Sequence, residues 1–183
     1  MSKSLDGVRI GVAMTGSFCT FDKVFSALPA LVAEGAELFP IMSSHAYSLD
    51  TRFMTAEEAR NRFEGICSRK CWNKITEVEP IGPKKLLDLL LIAPCTGNTL
   101  AKMACGIADT TVTMAAKSQL RNARPVLIGV STNDGLSTNA VSIAKLLNRK
   151  HMYFVPYYQD DPRSKPNSLV MDETALFRPS QAS

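Results

Sequence analysis

No run of apolar residues in this 183-residue chain approaches the about 18 that cross a membrane. The opening residues, MSKSLDGVRI, lack the apolar stretch of a secretory signal, so the sequence is expected to stay in the cytoplasm, outside any membrane. A strong charge of one sign is missing too. Against 17 acidic residues stand 21 basic ones, for a net charge of +4, and they are scattered rather than gathered into a stripe with aromatics between them. That pattern speaks for solvated surface and against nucleic acid as a partner. Cysteine is sparse and odd in number, five in a chain long enough to bury a core without staples, which points to reduced thiols. Cys67 and Cys71 could share a helix face, but no second pair at ligand spacing joins them, so no metal is expected.

With 45% apolar and 21% charged residues, the composition is that of an ordinary globular protein. No repeat or low-complexity linker divides the chain, so 1–183 reads as one domain with a loop-rich, Pro- and Asp-rich tail from about 157. Six stretches rich in Val, Ile, Leu and aromatics read as strands: 8–14, 37–42, 74–78, 88–93, 125–130 and 152–156. Within the fourth, DLLLIAP is nearly continuous in apolar residues, as suits a strand covered on both faces. Segments 22–34, 55–67, 99–121 and 139–149 are long enough for crossover helices, the first kinked or interrupted by Pro29. Strand and helix thus alternate, and the expectation is an α/β fold. It is a three-layer α/β/α doubly wound parallel sheet, flavodoxin- or Rossmann-like, with strand order 3-2-1-4-5-6.

In such a sheet, loops at the carboxyl ends of the strands form the ligand crevice. Thr15, Gly16 and Ser17 follow the first strand, where a helix begins. Unpaired amides gather there, and a glycine lets an anion approach the backbone; the alternative is that Thr and Ser merely cap the helix. A second loop of similar character, Pro94-Cys95-Thr96-Gly97-Asn98-Thr99, follows the fourth strand. Ser131, Thr132 and Asn133 follow the fifth, and Ser43 and Ser44 the second. The candidate cofactor contacts are therefore Thr15, Gly16, Ser17, Ser43, Pro94, Thr96, Asn98, Thr99, Thr132 and Asn133. G-x-G-x-x-G is absent and no acidic residue ends the second strand, so a mononucleotide fits better than a dinucleotide.

The TGS turn and the segment APCTGNTLAKMACGIAD resemble the flavoprotein family of homo-oligomeric flavin-containing decarboxylases. That resemblance implies FMN as cofactor and a homo-oligomer built from trimers. TNDGLSTNA, MAAKSQLRNARPV and QDDPRSKPNS resemble one branch of the family, the B subunits of a sporulation oxidoreductase. For that branch the implied partner is an A subunit similar to a dinucleotide-binding protein, through which NADP would enter. The implied substrate is a cyclic dihydropyridine dicarboxylate. A dicarboxylate calls for forked cationic donors, which makes Arg52 a candidate for one carboxylate, with Lys165 and Asn167 as helpers. No catalytic residue is assigned. Relatives that decarboxylate cysteine-derived substrates carry a histidine shortly before the fourth strand and a P-x-M-N-x-x-M-W segment; here those places read EPIGPKKLLD and STNDGLSTN. Decarboxylation of peptidyl-cysteine or pantothenoyl-cysteine is thereby disfavoured, and the alternatives are a flavodoxin-like scaffold that only binds the A subunit or another FMN-dependent decarboxylase of the same family.

Overall fold

The computed structural model describes residues 3–176, so positions 1–2 and 177–183 of the expected domain lie outside the described residues. Strand β1 (Arg9–Met14) runs parallel to β2 (Glu37–Met42) on one side and to β3 (Leu89–Cys95) on the other. Beyond β3 lies β4 (Val126–Thr132), also parallel, and β5 (Met152–Phe154) pairs with the first residues of β4. A parallel pair cannot be joined by a hairpin, so each step crosses a face of the sheet through helix. Helix α1 (Phe21–Ala33) leads to β2; α2 (Ser44–Ser48), α3 (Ala56–Cys67) and α4 (Ile75–Val78) lead to β3. Helices α5 (Gly97–Ala104) and α6 (Thr111–Leu120) lead to β4, and α7 (Ala140–Leu147) leads to β5.

The apolar run of β3 shows why both faces are dry. Leu91 and Ala93 join Phe21, Phe25 and Phe63 of α1 and α3 in one core, while Leu90 and Ile92 join Leu100, Val112 and Ile143 of α5, α6 and α7 in the other. Successive side chains of a strand point to opposite faces, so a strand between two helical layers must be apolar at every position. The three-layer α/β/α expectation holds.

Three elements differ from the sequence reading. Residues 74–78, expected as a strand, form α4 instead, because the Glu77 carboxylate takes the amides of Asn73 at 2.8 Å and Lys74 at 2.9 Å and caps a turn of helix. Only Trp72, in a single parallel bridge with Ile41, stands where that strand was expected. Removing it from the order 3-2-1-4-5-6 leaves the observed run β2-β1-β3-β4-β5. The expected 99–121 helix is broken into α5 and α6, with Gly106 at φ +74° and a fresh cap at Thr110, whose hydroxyl accepts from the Thr113 amide. Finally, the tail is not all loop. Strands β6 (Tyr157–Tyr158) and β7 (Leu169–Met171) are antiparallel, and β7 pairs with the end of β4 through Ser131↔Val170 and Thr132↔Leu169. That pairing brings the 159–168 loop back to the carboxyl edge of the sheet.

Candidate functional site

A cavity of about 450 Å³ opens at that edge, within the size range of small-molecule sites. Its floor comes from the loops after β1, β3 and β4, and its rim from Arg52 and Phe53 on one side and the tail loop on the other. Among the expected contacts, Gly16, Ser17, Thr96, Thr132, Asn133, Arg52 and Lys165 all line this one space. A more apolar hollow of about 360 Å³ lies near Met103, Leu120 and Met152, away from these loops and hydroxyls.

Gly16 carries the clearest signal. A Cβ built there would meet nothing closer than a ring carbon of Phe18 at 3.6 Å, and its backbone is not in the left-handed region. The fold therefore has no need of a glycine at this position, and the room belongs to whatever enters the cavity. Among the described residues, the amides of Gly16, Phe18 and Cys19 have no acceptor, while those of Ser17 and Thr20 are taken by Thr15 O and Ser17 O. Free amides beside an unobstructed backbone suit an anion.

The hydroxyls of Ser17, Ser131 and Thr20 form a chain. Ser131 Oγ lies 2.7 Å from both Ser17 Oγ and Thr20 Oγ1, tying the loop after β1 to the end of β4. Of these three, Ser17 and Ser131 were within reach of sequence reading, since Ser17 follows β1 closely and Ser131 stands at the carboxyl end of β4. Thr20, Phe18, Cys19, Phe53, Asp160 and Ser168 were not singled out, though an aromatic beside Arg52 was a usable signal.

The remaining expected contacts stand behind the cavity or outside it. Thr15 is buried, and its hydroxyl donates to Pro94 O at 2.7 Å and accepts from Thr96 N at 2.9 Å, so it locks two loops together. Pro94 enters through that carbonyl alone, which also takes the Thr15 amide. Thr99 is buried against the Thr96 hydroxyl, and Ser43 caps α2 by accepting from Ala46 N. Asn98 and Asn167 are exposed and do not line the cavity; Asn167 serves through its carbonyl, which accepts from Leu136 N.

Two cations face the space. Arg52 lies with its guanidinium 4.9 Å from the Phe53 ring centroid. Lys165 is not free, because its ammonium sits 3.2 Å from Asp160. Burial pushes the Asp160 carboxyl up, but the Ser168 hydroxyl and the Lys165 ammonium outweigh it and hold the group below its ordinary value. Asp160 thus stays charged near neutrality, and the rim carries two cations and one anion. Away from the cavity, burial pushes the Cys67 thiol up to about 12 and those of Cys71 and Cys95 higher still, while Cys19, which lines the space, is exposed.

A doubly wound parallel sheet with small, hydroxyl-bearing loops over its carboxyl edge defines a nucleotide-binding type of α/β protein. Within that class, the chain belongs to the Flavoprotein family, whose profile matches residues 1–174. It is 44% identical over 167 residues to the B subunit of dipicolinate synthase of Bacillus subtilis (strain 168), covering 91% of this chain and 84% of the relative. A solved structure of the corresponding dipicolinate synthase subunit from Bacillus halodurans superposes with a TM-score of 0.85 at 40% identity, over 94% of this chain and 88% of that one. The cysteine decarboxylase SpaF, described as FMN-dependent, has a TM-score of 0.70 at 20% identity, covering 94% of this chain and 97% of its own, and shares the fold. Among the described residues, no helix is long and apolar enough to cross a membrane.

Proposed function

We propose that the chain is an FMN-binding oxidoreductase subunit that works with a dipicolinate synthase A subunit to oxidise dihydrodipicolinate to dipicolinate. The setting would be the mother-cell cytoplasm of a sporulating bacterium. The likeness to the B subunit of that synthase over nearly the whole length of both chains carries this reading. The geometry supports it, since Gly16 leaves room that the fold does not require.

The cavity residues fit FMN. Its phosphate would sit against the free amides of the loop after β1, with Ser17 Oγ as a further donor held by Ser131. Aromatising a dihydropyridine removes a hydride and a proton, and FMN, when bound, supplies the acceptor that no side chain here can offer. The chain's own part is to orient and shield. Arg52 presents a planar fork to one carboxylate, and Lys165 reaches a second by leaving Asp160. NADP would enter through the A subunit. A micromolar complex needs about 8 kcal/mol, more than one phosphate loop provides, so much of the flavin ring must also be covered. A trimer-based homo-oligomer would cover it.

The test is to record the absorption of the purified chain near the flavin bands, then reconstitute it with the A subunit and follow dipicolinate formation. Arg52→Lys should fail almost as badly as Arg52→Ala while FMN binding persists, because an ammonium cannot reproduce the guanidinium fork. Wild-type turnover in both variants would move the substrate onto the A subunit and leave this chain as a scaffold.

A further inference from the structure

The arm that joins α2 to α3 ends in a closed knot. Thr51 N and Thr51 Oγ1 both donate to Met54 O at 3.1 Å, and the same hydroxyl accepts from Phe53 N at 3.2 Å and Met54 N at 3.4 Å. One residue earlier, Asp50 Oδ1 takes the Ala56 amide at 2.8 Å and pins the arm to the start of α3. Only Arg52 and Phe53 project from this knot, and both line the 450 Å³ cavity.

Phe53 is 46% exposed, an aromatic on a preset turn with the Arg52 guanidinium over one face of its ring. A lone exposed apolar side chain is ordinary on a protein surface. This one stands over a cavity, with a guanidinium 4.9 Å from its centroid and Lys165 across the same space. Phe18, half-buried, adds a second ring to the wall. An aromatic wall beside Arg52, which has no ion-pair partner among the described residues, with Lys165 across the space held by Asp160 until a carboxylate displaces it, complements a flat ring that carries carboxylates. Rings favour offset or edge-on packing against rings, a preference that a puckered body does not satisfy.

We propose that Phe53 is the stacking wall for the pyridine ring, with Thr51 as its positioning residue, so that the site favours a flat aromatic dicarboxylate over a puckered one. This rests on the reading that the cavity takes a pyridine dicarboxylate. The same preference would hold the product more tightly than the dihydro substrate and place Phe53 in control of product release.

The experiment is calorimetric binding of pyridine-2,6-dicarboxylate and of its saturated counterpart, piperidine-2,6-dicarboxylate, to the full chain saturated with FMN. The wild type should prefer the aromatic compound. Phe53→Leu, which keeps an apolar side chain but no ring, should weaken the aromatic compound roughly two- to ten-fold and leave the saturated one unchanged. Phe53→Tyr should retain the preference. Thr51→Val, whose side chain lies in the knot, should lower the same ratio with FMN affinity intact. Equal losses for both compounds in Phe53→Leu would reduce the ring to bulk and overturn the proposal. So would a changed assembly mass in that variant, which would assign Phe53 to a contact between copies. Failure of the wild type to take up either compound would overturn the substrate reading and the stacking wall together, whereas binding with an unchanged ratio in Phe53→Leu would remove the wall alone.

Discussion

After β1 the chain reads Thr15-Gly16-Ser17, and after β3 it reads Thr96-Gly97-Asn98. Both turns lead from a buried strand into helix at the same edge of the sheet, yet their glycines stand in opposite surroundings. At Gly16 an added Cβ finds its nearest neighbour at 3.6 Å. At Gly97 it would lie 2.4 Å from Asn139 Nδ2, 2.7 Å from Thr132 Oγ1 and 2.8 Å from Asp134 Oδ1. Those three residues are themselves bonded, with Asp134 accepting from Thr132 at 2.5 Å and from Asn139 at 2.8 Å. One glycine makes room for something outside the chain, and the other for the chain itself. A small residue at a strand-to-helix junction is therefore no guide to a ligand until its neighbours are known.

The sharpest way to break this contrast is to fill each space. Gly16→Val should cost FMN binding on the order of a hundred-fold, because two or more charge-assisted hydrogen bonds to a phosphate, about 1.5–3 kcal/mol each, would be blocked. Its melting temperature should stay close to wild type. Fluorescence titration with FMN beside a thermal melt reads both, and unchanged affinity would take the first turn out of the site. Gly97→Ala should do the reverse, lowering stability by about 1–3 kcal/mol as the Thr132, Asp134 and Asn139 cluster is pushed apart. A denaturant midpoint that does not move would mean the cluster yields without cost, and the two turns would be alike after all.

The amino edge of the sheet offers a packed region with no cavity loop near it. There the Arg9 guanidinium grips Asp88 at 2.8 and 3.0 Å, with Arg124 at 3.0 Å, and holds its carboxyl at about 2. A carboxylate whose pKa is lowered on folding adds stability above its unfolded value near 4 and loses it as pH falls toward 2. The side chain is more than a third exposed, so solvent reduces the effect to about 1 kcal/mol. Asp88→Asn should lower the unfolding free energy by that amount at pH 7 and match wild type near pH 2. Its FMN affinity should stay at the wild-type value, since this edge lies away from the cavity. A gap that persists at pH 2 would mean packing, not charge, holds this edge.

Local pattern made the frame legible, and pairings distant in sequence hid the rest. The alternation of Leu90 and Ile92 against Leu91 and Ala93 could be read directly, because period two with no polar position implies two covered faces. Residues 74–78 misled because the β-favouring Ile75, Thr76 and Val78 are overruled by one carboxylate, Glu77, acting on two amides. In the site, Gly16 and Ser17 were legible from the turn they occupy. Thr15 and Pro94 looked equivalent to them, but the bond that consumes both joins residues 79 apart. Asp160 and Ser168 were out of reach for a similar reason, since only the antiparallel pairing of β7 with β4 carries them to the cavity.

The smallest effect separates the polar residues that close the two turns. Ser17 lines the cavity and shares a hydrogen bond with Ser131 at 2.7 Å, while Asn98 is exposed and outside it. Ser17→Ala would delete one donor to a bound phosphate, worth about 0.5–1.5 kcal/mol, so FMN binding should weaken roughly two- to ten-fold. Asn98→Ala should change it by less than about two-fold and leave stability within about 0.5 kcal/mol, as for an exposed side chain away from the cavity. The pair is read by one titration on each variant beside Gly16→Val. If Asn98→Ala weakens FMN as much as Ser17→Ala does, the bound cofactor extends past the 450 Å³ cavity onto the start of α5. The second turn would then belong to the site through its asparagine even though its glycine belongs to the fold.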